Sequence, residues 1–144
     1  MLIWEMTEVT EEVVGAFQRL IPQLTRYCQP PTQEALEKLA RSPDTVVFLA
    51  RLSPESPAIG SATLIVTASP TGRHGWIEDV IVDEAARGRG VGKALTLTCL
   101  EKARGVGLSQ VNLTSRPGRV AANRMYQSLG FVLRETNVYC FDLT

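Results

Sequence analysis

What this sequence lacks excludes several protein classes. Its three cysteines, at positions 28, 99 and 140, form no C-x-x-C pair, which argues against a disulfide framework and against a zinc site. Acidic and basic residues balance at 15 each, so no net field favours nucleic acid or a membrane surface. No apolar run reaches transmembrane length, and the N-terminal segment is acidic where a signal peptide would be basic and then apolar. We therefore expect a cytoplasmic protein without a metal site, whose 144 residues form one domain, 1–144.

The most informative segment is a glycine-rich turn at residues 87–92. It follows a short β-branched run, Trp76 to Val82, and precedes a run of good helix formers, Lys93 to Arg104. A turn that leads into a helix N-terminus leaves several backbone N–H groups without partners, and the helix dipole and nearby basic side chains then favour an anion. Because glycine has no Cβ, a phosphate can approach the backbone closely. The residues predicted to bind it are Arg87, Gly88, Arg89, Gly90, Val91, Gly92 and Lys93.

Two common phosphate-binding motifs do not fit this turn. The nucleoside-triphosphate loop G-x-x-x-x-G-K-[ST] would need glycine at Arg87 and a hydroxyl at Ala94. The dinucleotide motif G-x-G-x-x-G would need glycine at Lys93 or at Leu95. Neither motif is present, because the residues that it requires do not occur at the required spacing.

What remains is R-x-x-G-x-G at Arg87 to Gly92, which resembles the pyrophosphate loop of the GCN5-related N-acetyltransferases (GNAT) that bind acetyl-coenzyme A (acetyl-CoA). A second stretch, Ala121 to Phe131, reads A-x-N-x-x-Y-x-x-L-G-F. In that family this stretch is the helix beside the pantetheine arm of the coenzyme. Two motifs at the right separation are more specific than either alone, and the resemblance covers the chain from about Gly60 onward.

The patterns along the chain agree with the layout of that family. The resemblance implies an α/β (α+β), single-domain GNAT fold in which a mixed, mostly antiparallel sheet is flanked by about four helices and a strand–loop–helix unit binds the coenzyme. Predicted strands are 2–6, 45–52, 58–67, 73–82, 110–115, 131–134 and 137–142. Predicted helices are 10–20, with Pro22 just past its end, 32–41 with Thr32 as N-cap, 93–104, and a short one that ends at Leu129.

The resemblance also implies the catalytic residues. Glu78 is the expected base or acceptor-binding acid, since a protonated amine must lose a proton before it attacks a thioester. Asp79 is its neighbour on the strand, so we expect the two acids to point to opposite faces, with one of them available to pair with an arginine. Tyr126 is the expected acid that protonates the leaving thiolate, the alternative being a tyrosine at the rim of the core.

Other coenzyme contacts are expected from the backbone of Val80, Ile81 and Val82, because in the family this strand opens away from its neighbour. Asn123 is expected to contact the coenzyme, or else to hydrogen-bond locally. At position 119 many members of the family carry Asn, whereas this chain has Arg119, so that role is not transferred.

The sequence says least about the molecule that accepts the acetyl group and about where it binds. In this fold it enters over the loop between the first two helices, where Arg26 and Tyr27 lie, although both are equally read as ordinary surface residues. The expected function is transfer of an acetyl group from acetyl-CoA to a primary amine of a small molecule, a lysine or a peptide N-terminus. A non-catalytic acyl-CoA-binding module and, more weakly, a nucleotide-binding regulator remain alternatives. The expected partners are acetyl-CoA and the acceptor, with no metal, nucleic acid or membrane, and a homodimer is left open.

Overall fold

The sheet has five strands, and their order in space follows their order in the chain. The first three pairings, from β1 to β4, are antiparallel, and the pairing of β4 with β5 is parallel. This is the mixed, mostly antiparallel sheet that the sequence predicted. In the computed structural model, which describes all 144 residues, the strands are β1 (Leu2–Glu5), β2 (Thr45–Arg51), β3 (Gly60–Ser69), β4 (Gly72–Val82) and β5 (Val111–Asn112).

Four α-helices accompany the sheet, in agreement with the predicted α+β class. Thr10 and Thr32 cap the first two, and each accepts a hydrogen bond at its side-chain oxygen from the backbone N–H three residues on. The helices are α1 (Glu11–Leu24), α2 (Gln33–Arg41), α3 (Val91–Gly105) and α4 (Val120–Ser128), with a short 3₁₀ helix at Glu84–Ala86.

The predicted end of α1 is wrong. The helix does not stop before Pro22 but runs through it to Leu24. Proline has no N–H to donate to the carbonyl four residues earlier, but Leu20 and Ile21 directly before it are buried, and their packing offsets the lost hydrogen bond.

Apolar side chains cover both faces of the sheet. On one face Val13, Phe17 and Leu20 of α1 form a cluster with Leu36 of α2 and with Val47 of β2. On the other face α3 buries an apolar stripe formed by Val91, Leu95, Cys99 and Ala103.

Three predicted strands differ from the structure near the C-terminus. Residues 131–134 and 137–142 form no strand, and β5 is two residues long instead of 110–115. A strand is defined by the neighbour that accepts its backbone hydrogen bonds, and alternating side chains do not supply that neighbour. These two C-terminal predictions are therefore wrong for the single chain.

The chain divides into two compact units. The first, Met1–Thr114, holds the sheet with α1, α2 and α3, and the second, Ser115–Thr144, holds α4. One domain over 1–144 stays a prediction. None of the helices combines the length and the apolar character needed to cross a membrane.

Candidate functional site

The glycine turn forms the entrance to α3. Gly88 and Gly90 have φ of 79° and 76°, in the left-handed region that glycine adopts without strain. A Cβ at either position would meet no protein atom within 4 Å, so both glycines border open space. The turn therefore presents its backbone outward, as a close ligand contact requires.

The amides of this turn have no partners inside the protein. Hydrogen bonding resumes at Ala94, whose N–H donates to the carbonyl of Gly90, and ends before the turn at Arg87, whose N–H donates to Glu84. The N–H groups of residues 88–93 donate no hydrogen bond within the chain. A run of unpartnered donors at a helix N-terminus is the arrangement that binds anionic oxygens.

The charges at the N-terminus of α3 also favour an anion at this position. The N-terminus of α1 has a threonine cap and two acids, whereas α3 has neither a side-chain cap nor an acid in its first turn. It carries Lys93 there, with Arg89 exposed just before it. A cation beside the positive end of a helix dipole is unfavourable by itself and becomes favourable when an anion lies between them.

Two side chains hold the segment before the turn: Gln23, which the sequence did not single out, and Arg87, which it predicted as a phosphate contact. Gln23 of α1 accepts a hydrogen bond from the N–H of Glu84 at 2.8 Å, and Arg87 donates from Nε to the carbonyl of Val82 at 3.3 Å. These bonds fix the turn to α1 and to the end of β4. Gln23 lies 61 residues away from its partner in the chain, so no local pattern reveals it.

A β-bulge interrupts β4 at the predicted acids. Thr63 of β3 pairs with Glu78, but Ser61 pairs with Ile81, so β4 has one more residue than β3 between these pairs. Asp79 lies in this interval with φ of 52°, the only non-glycine residue of the chain with positive φ. This is the left-handed position that glycine usually takes in a bulge, and an aspartate there stores strain.

The bulge decides which face each residue occupies. Val47 of the α1–α2 cluster pairs with Thr63, which pairs with Glu78, and paired residues share a face. Glu78 therefore lies on the face that carries α1 and α2. The extra residue brings Ile81 to the same face, where it joins that cluster. Regular alternation, on which the expectation of opposite faces for Glu78 and Asp79 rested, does not hold here.

The electrostatic setting of Glu78 suits a base. Partial burial and, to a lesser extent, the negative charge of Asp79 raise the pKa of Glu78 above its usual value. Neither acid has an ion pair, since the only two in the chain join Arg51 to Glu12 and Lys102 to Glu5. The arginine partner considered for one of the acids is absent from the structure.

Beyond the bulge, β4 has a strand neighbour on one side only. Its pairing with β5 consists of Gly75 with Val111 and Trp76 with Asn112, and β4 then continues to Val82. Val80 to Val82, the segment predicted to meet the pantetheine arm, lies in this extension.

Tyr126 lies in the second unit, on α4. Its side chain is buried, and its ring contacts that of Phe131 edge to face with centroids 5.7 Å apart. Tyr126 is the one buried residue of α4, whereas Ala121 at the start of the helix is exposed.

Asn123 makes the local bonds that were the alternative to coenzyme contact. Its amide donates to the carbonyls of Arg116 at 3.0 Å and of Pro117 at 3.5 Å, which ties α4 to the loop before it. Arg119 is the N-cap residue of α4, and its side chain makes no capping bond.

The loop between α1 and α2 presents Tyr27 to solvent, with its side chain 94% exposed. Arg26 beside it is exposed as well, and neither side chain makes a hydrogen bond or an ion pair. No group of three or more His, Cys, Asp or Glu side chains lies close enough together to hold a metal ion.

Known proteins place this chain in a family. The glucosamine 6-phosphate N-acetyltransferase 1 of Oryza sativa subsp. japonica is 30% identical over 93% of this chain and 80% of its own length. A mycothiol acetyltransferase of Thermobispora bispora is 45% identical over 46% of the chain, which spans about a quarter of that protein (23%). A crystal structure of an acetyltransferase from Trypanosoma brucei is 30% identical, with a TM-score of 0.75 over 99% of this chain and 100% of that one.

The family match itself is extensive. The acetyltransferase (GNAT) family matches residues 8–131, which include both the glycine turn and α4. Acetyl-CoA is the donor that this family implies. The chain belongs to the GNAT family and is a GNAT-type N-acetyltransferase.

Proposed function

We propose that this protein transfers the acetyl group of acetyl-CoA to a primary amine by direct attack. The acceptor is a small molecule, a lysine or a peptide N-terminus. The single observation that carries the proposal is the run of unpartnered amides at residues 88–93, next to a strand whose bulge carries two acids.

The donor is held by its diphosphate. The amides around Gly88 and Gly90 donate to the phosphate oxygens, and Arg89 and Lys93 supply the opposite charge. The backbone of Val80 to Val82 binds the pantetheine amides where β4 extends beyond its pairing with β5. An N–H of this segment donates to the thioester carbonyl as negative charge develops on its oxygen.

Glu78 prepares the acceptor. An alkyl ammonium group has a pKa of about 10, so the base must remove a proton before the nitrogen can attack. A carboxylate with a raised pKa accepts that proton, directly or through a water molecule, more readily than an ordinary one. Its position on the face of α1 and α2 puts it on the side of the sheet where the loop with Arg26 and Tyr27 begins.

Tyr126 completes the reaction. The nitrogen forms a bond to the thioester carbon, the bond from that carbon to sulfur breaks, and the thiolate takes a proton from the Tyr126 hydroxyl. The nitrogen then loses its second proton, which restores the Tyr126 hydroxyl. The products are the N-acetylated acceptor and free coenzyme A, and the first proton of the ammonium group passes to solvent through Glu78. Asp79 and the loop residues Arg26 and Tyr27 are the proposed acceptor contacts.

The relatives named for glucosamine 6-phosphate make a phosphorylated amino sugar the first acceptor to test. The experiment measures free coenzyme A by chromatography after incubation with acetyl-CoA and a panel of amino sugars, their phosphates, polyamines and peptides. Chromatography is preferable to a thiol dye because Cys28 and Cys140 are exposed and would react. Cys99 would not, since burial raises its pKa to about 12.

Turnover with at least one amine supports the proposal. Tight binding of acetyl-CoA without turnover on any amine of the panel would contradict it and would favour a binding module. The Gly90→Asp variant serves as the matched blank, because any coenzyme A that it releases comes from hydrolysis outside the proposed site.

A further inference from the structure

Gln23 and Arg19 lie one turn apart on α1, and each side chain binds the backbone of another segment. The side-chain oxygen of Gln23 accepts a hydrogen bond from the N–H of Glu84 at 2.8 Å, and Arg19 donates from Nη2 to the carbonyl of Ala58 at 2.8 Å, just before β3. The side-chain nitrogen of Gln23 donates to the carbonyl of Arg19 at 3.1 Å. The amide group of Gln23 is therefore fixed at both ends, although the residue itself is exposed.

One hydrogen-bonded turn joins Glu84 to the unpartnered amides of the glycine turn. The carbonyl of Asp83 accepts from the N–H of Ala86 at 2.8 Å, and the carbonyl of Glu84 accepts from the N–H of Arg87. Ala86 is buried, which anchors this short 3₁₀ helix to the core. The first unpartnered amide, that of Gly88, follows directly. A displacement of Glu84 therefore also displaces the amides that are proposed to bind the diphosphate.

On its other side, Gln23 lies two residues before the loop between α1 and α2, residues 25–32, which we call the acceptor loop. The last turn of α1 is weak in itself. Pro22 has no N–H, so the carbonyl of Gln18 lacks its usual donor, and no basic residue in this turn favours the negative end of the helix dipole. Thr25 ends the helix, and its side-chain oxygen accepts from the N–H of Tyr27 at 3.1 Å. The start of the acceptor loop therefore depends on side-chain bonds such as that of Gln23.

We propose that Gln23 is a positioning residue that sets the conformation of the donor turn and couples it to the acceptor loop. A bound diphosphate orders the turn and keeps the N–H of Glu84 within reach of Gln23, and this bond then holds the end of α1. By thermodynamic linkage, order at the end of α1 strengthens coenzyme binding by the same factor. The inference rests on the proposed donor site at residues 88–93, and Gln23 itself contacts neither substrate.

The test uses the full-length protein and coenzyme A. Calorimetry gives the affinity, and ¹⁵N spectra follow the amide resonances of residues 25–28. Gln23→Met keeps a long, helix-favouring side chain but removes both hydrogen bonds, so the affinity should fall by about 3-fold or more. Gln18→Met makes the same change at another exposed glutamine of α1 and should bind like the wild type. Coenzyme A should shift the amides of residues 25–28 in the wild type and in Gln18→Met, but not in Gln23→Met.

A double-mutant cycle isolates the bond between Gln23 and Glu84. Glu84→Pro removes the N–H at the first position of the 3₁₀ helix, where proline is tolerated, and Asp83 before it already has the ψ of 134° that a following proline favours. Glu84→Ala keeps the N–H and controls for loss of the carboxylate. Relative to Glu84→Ala, Glu84→Pro should weaken coenzyme A binding as Gln23→Met does. The variant that combines Gln23→Met with Glu84→Pro should lose no more affinity than either alone.

Three results would overturn the inference and leave the donor site in place. These are equal affinity of Gln23→Met and the wild type, additive losses in the cycle, and amides of residues 25–28 that stay in place when the wild type binds coenzyme A. A wild-type protein that binds no coenzyme A would instead remove the donor site, and this inference with it. If Gln23→Met does not fold, Glu84→Pro and the shifts of the wild-type amides decide between these outcomes.

Discussion

Ile81 of β4 pairs with Ser61 of β3, where an uninterrupted register would pair it with Gly60. The extra residue that causes this shift places the side chain of Ile81 in the cluster of α1 and α2, on the same face of the sheet as Glu78. It also requires a left-handed backbone at Asp79. The candidate base and the end of β4 are thus both placed by one irregularity of the strand.

Asp79→Gly tests whether the bulge stores strain. Glycine adopts positive φ freely, so the relief of about 1 kcal/mol expected from the left-handed position should make this variant at least as stable as the wild type. Asp79→Val should be destabilised, because a β-branched residue resists this conformation. Urea unfolding measures both. Equal stability of the glycine and valine variants would show that position 79 does not depend on its backbone angle.

The pH dependence of turnover tests Glu78. The base works when ionised, so turnover should rise with pH through the raised pKa of Glu78. Asp79→Asn removes the smaller of the two causes of that shift, so the pKa of Glu78 should fall and the acid limb of kcat/KM should move to lower pH. Glu78→Gln should lower kcat by about 100-fold or more. An unchanged acid limb in Asp79→Asn would contradict the coupling of the two acids.

The ionisation of Glu78 should also change the stability of the fold. The direction should be opposite to that of a carboxylate in an ion pair, which stabilises the fold when it is ionised. A carboxyl whose pKa is raised in the folded state favours folding while protonated, and this contribution is lost as pH rises through the folded-state pKa. Glu78→Gln should therefore raise the Tm at pH 7 and leave it nearly unchanged well below pH 4. A lower Tm at pH 7 would show that ionised Glu78 is stabilised by a contact of its own.

Gly90→Asp tests the anion site. Asparagine and aspartate tolerate positive φ better than other residues, and a Cβ at Gly90 meets no protein atom, so both variants should fold. The aspartate places a negative charge against the diphosphate and should abolish acetyl-CoA binding, whereas Gly90→Asn should retain part of it. Calorimetric titration gives both affinities. Equal affinity of Gly90→Asp and Gly90→Asn for acetyl-CoA would show that a negative charge at position 90 does not weaken binding.

Tyr126→Phe tests the proposed acid. The ring and its contact with Phe131 are kept, so the affinity for acetyl-CoA should stay the same while kcat falls by about 100-fold. Tyr139→Phe, which removes the hydroxyl of an exposed tyrosine, is the matched control and should keep full turnover. If both variants turn over at the wild-type rate, Tyr126 is only a packing residue.

Local signals in the sequence predicted much of this structure. The helix that follows the glycine turn and the N-cap at Thr32 each depend on residues within one or two turns of each other. The glycine turn was predicted for the same reason. Its conformation depends on its own glycines and on the helix that follows.

What the sequence could not predict depends on distant partners. The bulge at Asp79 contains no glycine that would indicate it in the sequence, and it is recognised only from the pairing of β3 with β4. Gln23 supports the turn from a helix 61 residues away. The strands predicted after Phe131 have the right pattern, but a pattern does not supply a neighbouring strand.

The central claim is that the backbone amides of residues 88–93 bind the diphosphate of the donor. The most direct measurement is a titration of ¹⁵N-labelled protein with coenzyme A, followed through the amide resonances of these six residues. We predict that they shift together and saturably, and that the same resonances of Gly90→Asp do not move. Binding of coenzyme A that leaves these amide resonances in place would contradict the account.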